Sequence, residues 1–230
     1  MKKKLFVILM FFGISSVCFS QQTNDLTQEE LEAFKAQCLE RVDAFQMGLE
    51  IIADKRQSSE IRNHYINTIP EMFIGNGNPW TDNKGGKHDA VKMQVSSLST
   101  GQIKSVPLKQ YLVKLRDLPY KYVEIKQANT CLISNFYKTD DGKYQATCTF
   151  FQYFTGQSGE TIVIRDETQK AVDVSITRVD DGSLGTYWDM KFGDIDVTET
   201  KKGSNEKNTI TVVLYFGRNN NRSSDFYSSC

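Results

Sequence analysis

Residues 26–56, LTQEELEAFKAQCLERVDAFQMGLEIIADKR, form the most regular stretch of this sequence. Its large apolar side chains recur at steps of three and four residues, which places them along one side of an α-helix. They are Leu31, Phe34, Cys38, Val42, Phe45, Leu49 and Ile52. Thr27 followed by Glu30 is a capping box that marks the first turn. The stretch therefore predicts a long amphipathic helix with one side buried in the core.

Two shorter helices and one strand are predicted next. A serine cap begins a second helix over 58–70, and Pro70 ends or kinks it. Apolar and polar residues alternate over 91–95, which predicts a strand. A third helix is predicted over 107–117, because proline is favourable in a first turn and Pro119 prevents continuation.

The rest of the chain is predicted to form successive β-strands. Apolar and aromatic residues alternate with polar ones, and clusters of Asp, Asn and Gly separate the runs. The predicted strands cover 120–137, 143–155, 161–165, 171–179, 187–198 and 209–216. Because the connections between these strands are too short for crossovers, we expect them to pair antiparallel. The predicted fold class is α+β, with long N-terminal helices packed on a mostly antiparallel sheet.

The N-terminus has the three parts of a secretory signal peptide. Lys2 to Lys4 supply positive charge, residues 5–14 are apolar, and 18–20 offer a cleavage site. A lipoprotein signal is the alternative for Cys18, but Val17 stands where that motif needs a small residue. We expect cleavage near Ser20/Gln21, no stable membrane insertion, and a mature chain in the periplasm or outside the cell.

Net charge and chain length limit which partners and which domain organisation fit this sequence. Cleavage would remove three lysines and no acid, leaving 25 basic residues against 28 acidic ones. This balance does not favour a nucleic-acid partner. With four prolines and no long low-complexity tract, residues 21–230 are predicted to form one domain, with a main part over about 26–200 and an extra strand over about 208–217.

The order of elements resembles the nuclear-transport-factor-2-like, or cone-shaped α+β, superfamily from about Leu26 to Thr200. Several short motifs are also similar to those of exported Bacteroidetes proteins. They are Phe34-x3-Cys38-x2-Arg41-x3-Phe45-Gln46, Tyr111-Leu112-x2-Leu115-x2-Leu118-x-Tyr120, Asp166-x-Thr168-x-Lys170 and Trp188-x3-Phe192-Gly193-Asp194-Ile195-x-Val197. The resemblance implies a curved, cone-like sheet around the first helix, with a pocket at its open end. It does not by itself imply a function.

Four cysteines would remain after cleavage: Cys38, Cys131, Cys148 and Cys230. If Asp141-Gly142 is a two-residue hairpin turn, Cys131 faces Gln152 and lies ~14 Å from Cys148. A bridge between those two is then not expected, because disulfides need Cα atoms within about 7 Å. The alternative role for the internal cysteines is that of small buried apolar side chains.

No catalytic, cofactor or metal motif is recognisable. His64 and His88 lack the spacing of a metal site and are expected at the surface. A small-molecule enzyme of the cone type, an isomerase or dehydratase, would need an acid in an apolar pocket; Asp43, Glu124 and Asp189 are the candidates. We therefore assign no catalytic residues, metal ligands or cofactor.

Aromatic residues are concentrated in the predicted strands. In 143–155, alternation places Tyr144, Cys148, Phe150 and Phe154 on one face and Phe151 and Tyr153 on the other. Exposed aromatics mark contact sites, unless both faces belong to the core. We predict a contact region of Phe151, Tyr153, Tyr187 and Trp188 in an exported, non-catalytic module of the cell envelope. Its partner would be an envelope protein or a small apolar ligand; the alternative is the small-molecule enzyme.

Overall fold

The computed structural model describes residues 25–82, 84–97, 102–159 and 161–202. The predicted signal peptide, Cys230 and the strand predicted over 209–216 lie outside these ranges. The helices are α1 (Gln28–Ala53), α2 (Ser59–Thr68) and α3 (Leu108–Arg116), with 3-10 turns at Ile69–Met72 and Ile74–Gly77. The strands are β1 (Trp80–Thr81), β2 (Lys87–His88), β3 (Lys92–Ser97), β4 (Gln102–Pro107), β5 (Tyr122–Ile133), β6 (Tyr137–Lys138), β7 (Tyr144–Ser158), β8 (Thr161–Asp181) and β9 (Gly185–Lys202). No helix in the described ranges has the length and apolarity needed to cross a bilayer.

Helix α1 begins as predicted. The Thr27 hydroxyl accepts a hydrogen bond from the Glu30 amide at 3.2 Å, and the Glu30 carboxylate accepts one from the Thr27 amide at 2.8 Å. The predicted end was three residues too late, because Asp54 leaves the helical conformation and caps the C-terminus. The basic pair 55–56 therefore follows the helix instead of occupying its last turn.

The buried side of α1 forms the centre of the core. Five members of the predicted stripe are at most 1% exposed, while Leu31 and Phe34 at its N-terminal end are partly buried. The Phe45 ring meets Phe73 and Phe150 edge-on, with ring centroids 5.4 Å and 6.5 Å apart. Phe73 meets Phe192 in the same way, with centroids 5.6 Å apart. This chain of rings joins α1 to the turns after α2 and to two strands of the sheet.

The large sheet has the strand order β4-β3-β9-β8-β7-β5, with β6 paired to β7, and it is not closed. We call the face that packs on α1 the inner face. Along β7 and β8 its side chains are buried at alternate positions from Tyr144 to Phe150 and from Val172 to Ile176. The architecture is the predicted α+β class: a long helix and shorter ones packed on a mostly antiparallel sheet.

The sheet is mostly antiparallel, as predicted, but two of its features were not predicted. Strand β3 pairs with β9 in parallel, around Met93 and Ile195, so the sheet is mixed. Strand β4 was missed, as was the small β1–β2 hairpin, because their residues are almost all exposed and show no apolar alternation. Edge strands of this kind are held by backbone pairing and carry little periodic signal.

The predicted break between 165 and 171 does not exist. Strand β8 runs without interruption for 21 residues from Thr161 to Asp181. The polar run 166–170 was not included in either predicted strand, but Asp166, Thr168 and Lys170 lie on the inner face and are 4–8% exposed. Polar residues facing inward broke the apolar alternation on which the prediction depended.

The predicted register of the β5–β7 hairpin was also wrong. The loop has three residues, since Thr139 pairs with Lys143 and Gly142 adopts a left-handed φ of 80°. Together with the segment 134–136 between β5 and β6, this sets Cys131 opposite Phe150 and Cys148 opposite Ile133. The two cysteines are therefore two residues out of register instead of four.

Candidate functional site

A cavity of about 350 Å³ opens between α3 and the inner face of the sheet. Its walls come from α3 and the loop after it, from β3 and β4, and from the middle of β7 and β8. The side chains that carry the chemistry are Tyr111, Leu118, Tyr120, Gln152, Phe154, Asp166, Thr168 and Lys170. The polar groups of this cavity were not predicted from the sequence.

Two neighbouring strands bring the polar groups of this cavity together. On β8, Asp166, Thr168 and Lys170 occupy alternate positions and therefore share the inner face. Thr168 pairs directly with Gln152 of β7. All four side chains are at most 8% exposed. Buried polar groups are costly unless they are paired, so this concentration requires an explanation.

Lys170 is the most unusual of these residues. It is 4% exposed, and its Nζ lies 5.7 Å from the centre of the Tyr111 ring. Within the described part of the chain no charged group lies close enough to stabilise its ammonium. Burial lowers the pKa of Lys170 to about 7, because a charged amine loses its hydration there. The side chain is therefore divided between amine and ammonium near neutral pH.

Asp166 and Gln152 contribute buried atoms without partners. Oδ1 of Asp166 and Nε2 of Gln152 are inaccessible to solvent and make no hydrogen bond among the described residues. Burial also raises the pKa of Asp166. One acceptor and one donor thus lie unsatisfied in the wall of the same cavity as Lys170. A ligand with complementary polar atoms would satisfy them once the two side chains turn toward the cavity.

The apolar wall of the cavity depends on a close approach at Gly156. The ring of Tyr120 lies over this residue and meets Phe154 edge-on at 6.1 Å. A Cβ at Gly156 would lie 2.8 Å from Ile164 and 2.9 Å from Tyr120. Glycine is therefore what allows Tyr120 to close this side of the cavity.

The charges around the cavity are mainly positive. Lys104 and Lys114 are exposed side chains that line it, and Lys170 lies inside. Asp166 is the single acidic residue among the described residues that line it. Apolar walls with a few convergent polar groups are typical of small-molecule sites. This arrangement is suited to a largely apolar molecule that carries a carboxylate or another strong acceptor.

The predicted aromatic contact region is not one surface. Phe151 and Tyr153 are partly exposed and share the outer face of β7, as predicted. Tyr153 pairs with Glu167 of β8, whereas Tyr187 of β9 pairs with Val179. Twelve residues of β8 separate these positions, or ~40 Å at the rise of a strand. Tyr187 is 41% exposed but lies too far away to act with Tyr153.

Trp188 lies on the opposite face from Phe151 and Tyr153. It is partly buried against the core, and its ring meets Tyr144 edge-on at 5.6 Å. Tyr144 in turn accepts a hydrogen bond from the Leu26 amide at 3.0 Å. Trp188 therefore holds the start of α1 against the sheet.

The acids suggested from sequence do not line the cavity. Asp43 and Glu124 have exposed side chains, and Asp189 lies near Lys191 at 3.8 Å. Both histidines are exposed, as expected. His88 is hydrogen-bonded to Asp82 at 2.9 Å and stacked on Trp80 at 4.2 Å. The ionisable groups inside the cavity are instead Asp166 and Lys170.

A wider groove of about 570 Å³ lies beside Trp80 and His88. Its charges are largely neutralised by neighbours, since Asp89 pairs with Lys92 at 2.9 Å and Asp194 accepts from the Lys92 backbone. No buried side chain without a partner lines this groove in the described part of the chain. The smaller cavity is therefore the stronger candidate.

One signal for the site was already in the sequence. Asp166-x-Thr168-x-Lys170 has the two-residue period of a strand, so three polar side chains on one face could have been read from it. The sequence analysis left this segment outside the predicted strands, because charged residues are rarely buried. Which face pointed inward depended on the pairing with β7.

Comparison of the chain with protein-family models found no matching family. Comparisons with curated proteins and with solved structures also found no match. The assignment of a function therefore depends on the residues and geometry of this chain.

Proposed function

We propose that this protein is an exported, non-catalytic module of the cell envelope that binds a small molecule in the cavity beside Lys170. The ligand is largely apolar and carries a carboxylate or a similar acceptor group. The signal-peptide pattern supports export, and the order of elements supports the resemblance to the nuclear-transport-factor-2-like superfamily. The binding region of this proposal is the cavity instead of the outer aromatic face.

The observation that carries the proposal is the buried amine of Lys170, which has no charged partner among the described residues. A lone buried charge is destabilising, so its position in a cavity is best explained by a ligand that completes its hydrogen bonds. Nε2 of Gln152 offers a second donor from the adjacent strand. The apolar walls formed by Leu118, Tyr120 and Phe154 would hold the body of the ligand.

The proposal predicts that a carboxylate is preferred over a neutral group of similar shape. Isothermal titration calorimetry would compare 2-naphthoate with 2-naphthylmethanol, using the chain from residue 21. We expect the acid to bind ~10–100-fold more tightly near pH 6, because a hydrogen bond to a charged group contributes about 1.5–3 kcal/mol. The preference should weaken above neutral pH, since Lys170 then loses its proton.

Lys170→Met removes the amine while keeping most of the apolar stem, and it should abolish the preference for the acid. Lys126→Met is the matched control, because Lys126 is exposed, pairs with Glu124 and does not line the cavity. Equal binding of acid and alcohol by the unmodified protein would refute the proposal. So would a Lys170→Met variant that retains the preference.

A small-molecule enzyme is the second candidate. The observation in its favour is that burial moves two ionisable groups of the cavity toward neutrality, with the pKa of Lys170 lowered and that of Asp166 raised. Asp166 would serve as the acid of an isomerase or dehydratase. A neutral Lys170 could also add to a carbonyl, forming an imine and releasing water.

Covalent trapping tests the enzyme candidate. With 2-naphthaldehyde and sodium borohydride, a catalytic amine predicts one reduced adduct, which peptide mapping places on Lys170. The Lys126→Met control should give the same adduct and Lys170→Met none. If adducts instead spread over the exposed lysines, the enzyme candidate fails while the acid-binding proposal stands on its own titration.

A further inference from the structure

Three cysteines meet where α1 crosses the sheet. They are Cys38 of α1, Cys131 of β5 and Cys148 of β7, and all three are free thiols in this structure. The Sγ atoms of Cys131 and Cys148 are 2.8 Å apart. Cys148 is fully buried, while Cys131 is partly exposed. This contact has no part in the cavity.

Strand pairing brings the side chains of Cys131 and Cys148 into contact. Both side chains lie on the inner face of adjacent antiparallel strands, in the register that sets Cys131 opposite Phe150. A disulfide has an S–S length of ~2.05 Å, so the sulfurs need to approach by less than one ångström. We propose that Cys131 and Cys148 are the site of a disulfide and that Cys38 keeps its thiol.

The oxidant belongs to the class of thiol–disulfide exchange reagents, such as oxidised glutathione. The partly exposed Cys131 loses its proton and attacks one glutathione sulfur, which breaks the glutathione disulfide and releases one glutathione thiol. Cys148 then loses its proton and attacks the Cys131 sulfur, releasing the second glutathione thiol. Two protein thiols are oxidised to one disulfide, and two electrons and two protons pass to glutathione.

The surroundings of the pair suggest a structural bond instead of a rapid switch. The pKa of Cys131 is raised by its hydrogen bond to Cys148, by burial and by the nearby Asp43 carboxylate of α1. Thiolates are the reactive form, so oxidation of the folded protein is expected to be slow near neutral pH. The bond would form most readily while the chain folds in an oxidising compartment.

Peptide mapping of the chain from residue 21 tests the pairing. After refolding with oxidised and reduced glutathione at about pH 8.5, the pKa of an ordinary thiol, free thiols are alkylated and the protein is digested with trypsin. Cys131 and Cys148 fall in different tryptic peptides, 127–138 and 144–165, while Cys38 lies in 36–41. We expect 127–138 linked to 144–165 in the non-reduced digest, together with alkylated 36–41.

Variants separate this pair from its alternatives. Cys38→Ser should retain the linked peptides, and Cys131→Ser should lose them. The bond closes a loop between residues 17 positions apart, so oxidation should raise the melting temperature of wild type and Cys38→Ser by ~5–10 °C. Two results would overturn the proposal: peptide 36–41 linked to 144–165, or full alkylation of both Cys131 and Cys148. Mapping of the unmodified chain decides this even if Cys131→Ser does not fold.

Discussion

Phe45→Ala is expected to destabilise the protein by about 3–5 kcal/mol, the usual loss for a fully buried aromatic. Phe45 is 1% exposed and lies between Phe73 and Phe150 in the chain of rings that joins α1 to the sheet. Truncation leaves a cavity at the point where three elements meet. For a domain of this size the melting temperature should fall by roughly 6–20 °C, as measured by circular dichroism or calorimetry.

Met47→Ala is a matched control on the same helix. Met47 is 51% exposed, and alanine and methionine both favour helix, so its melting temperature should stay close to that of the unmodified protein. If Phe45→Ala melts within a degree or two of the parent, α1 is not the centre of the core, and the fold described above is wrong.

Lys170→Met is expected to stabilise the ligand-free protein near neutral pH. The pKa of Lys170 is lowered by burial to about 7 in the folded chain, whereas an unfolded lysine titrates near 10.4. Each pKa unit corresponds to about 1.4 kcal/mol, and we expect a gain of ~2–4 kcal/mol at pH 7 after structural relaxation is allowed for. Chemical denaturation would measure it.

The pH dependence gives a sharper test. Between about pH 7 and 10 the unfolded state binds the Lys170 proton and the folded state releases it, so the free energy of unfolding rises with pH in the unmodified protein. Burial raises the pKa of Tyr111, and that of Cys131 is raised as well, so both oppose this trend at the alkaline end. Subtracting the free energy of unfolding of Lys170→Met from that of the unmodified protein at each pH cancels the contributions of Tyr111 and Cys131. The difference is the contribution of Lys170.

Lys126→Met again provides the control, because an exposed ion pair contributes little. It should follow the unmodified protein at every pH. Parallel curves for the unmodified protein and Lys170→Met from pH 6 to 9 would mean that Lys170 is solvated, and the argument for the cavity would fail with it. A residue that lowers stability while lining a cavity is what a binding site is expected to contain.

The parts of the fold that depend on neighbours in sequence were predictable. Thr27 and Glu30 identify the first turn of α1, because a capping box is built from groups three residues apart. The stripe containing Phe45 predicts burial through the helical period alone. The alternation of side chains along β7 likewise predicts that Phe150 and Phe151 lie on opposite faces of the sheet.

The candidate site was predictable only in part. The two-residue spacing of Asp166, Thr168 and Lys170 indicates that they share one face of a strand. These polar groups were missed because a run of polar residues interrupts the apolar alternation by which a strand is recognised. The predicted aromatic region is not a single surface for a related reason. Tyr153 and Tyr187 belong to β7 and β9, which pair with opposite sides of β8, and the sequence of neither strand determines where along β8 it pairs.

Helix α1, its cap and the alternation along the strands follow from interactions between residues a few positions apart, so the amino-acid sequence is sufficient for them. The meeting of Cys131 with Cys148, the inward direction of Lys170 and the parallel pairing of β3 with β9 come from the folded structure. The first two depend on strand register, which a three-residue loop or a bulge shifts by one position. The third depends on the path by which the chain brings two distant strands side by side. Register is selected by the total packing of the core, in which groups far apart in the chain are buried together.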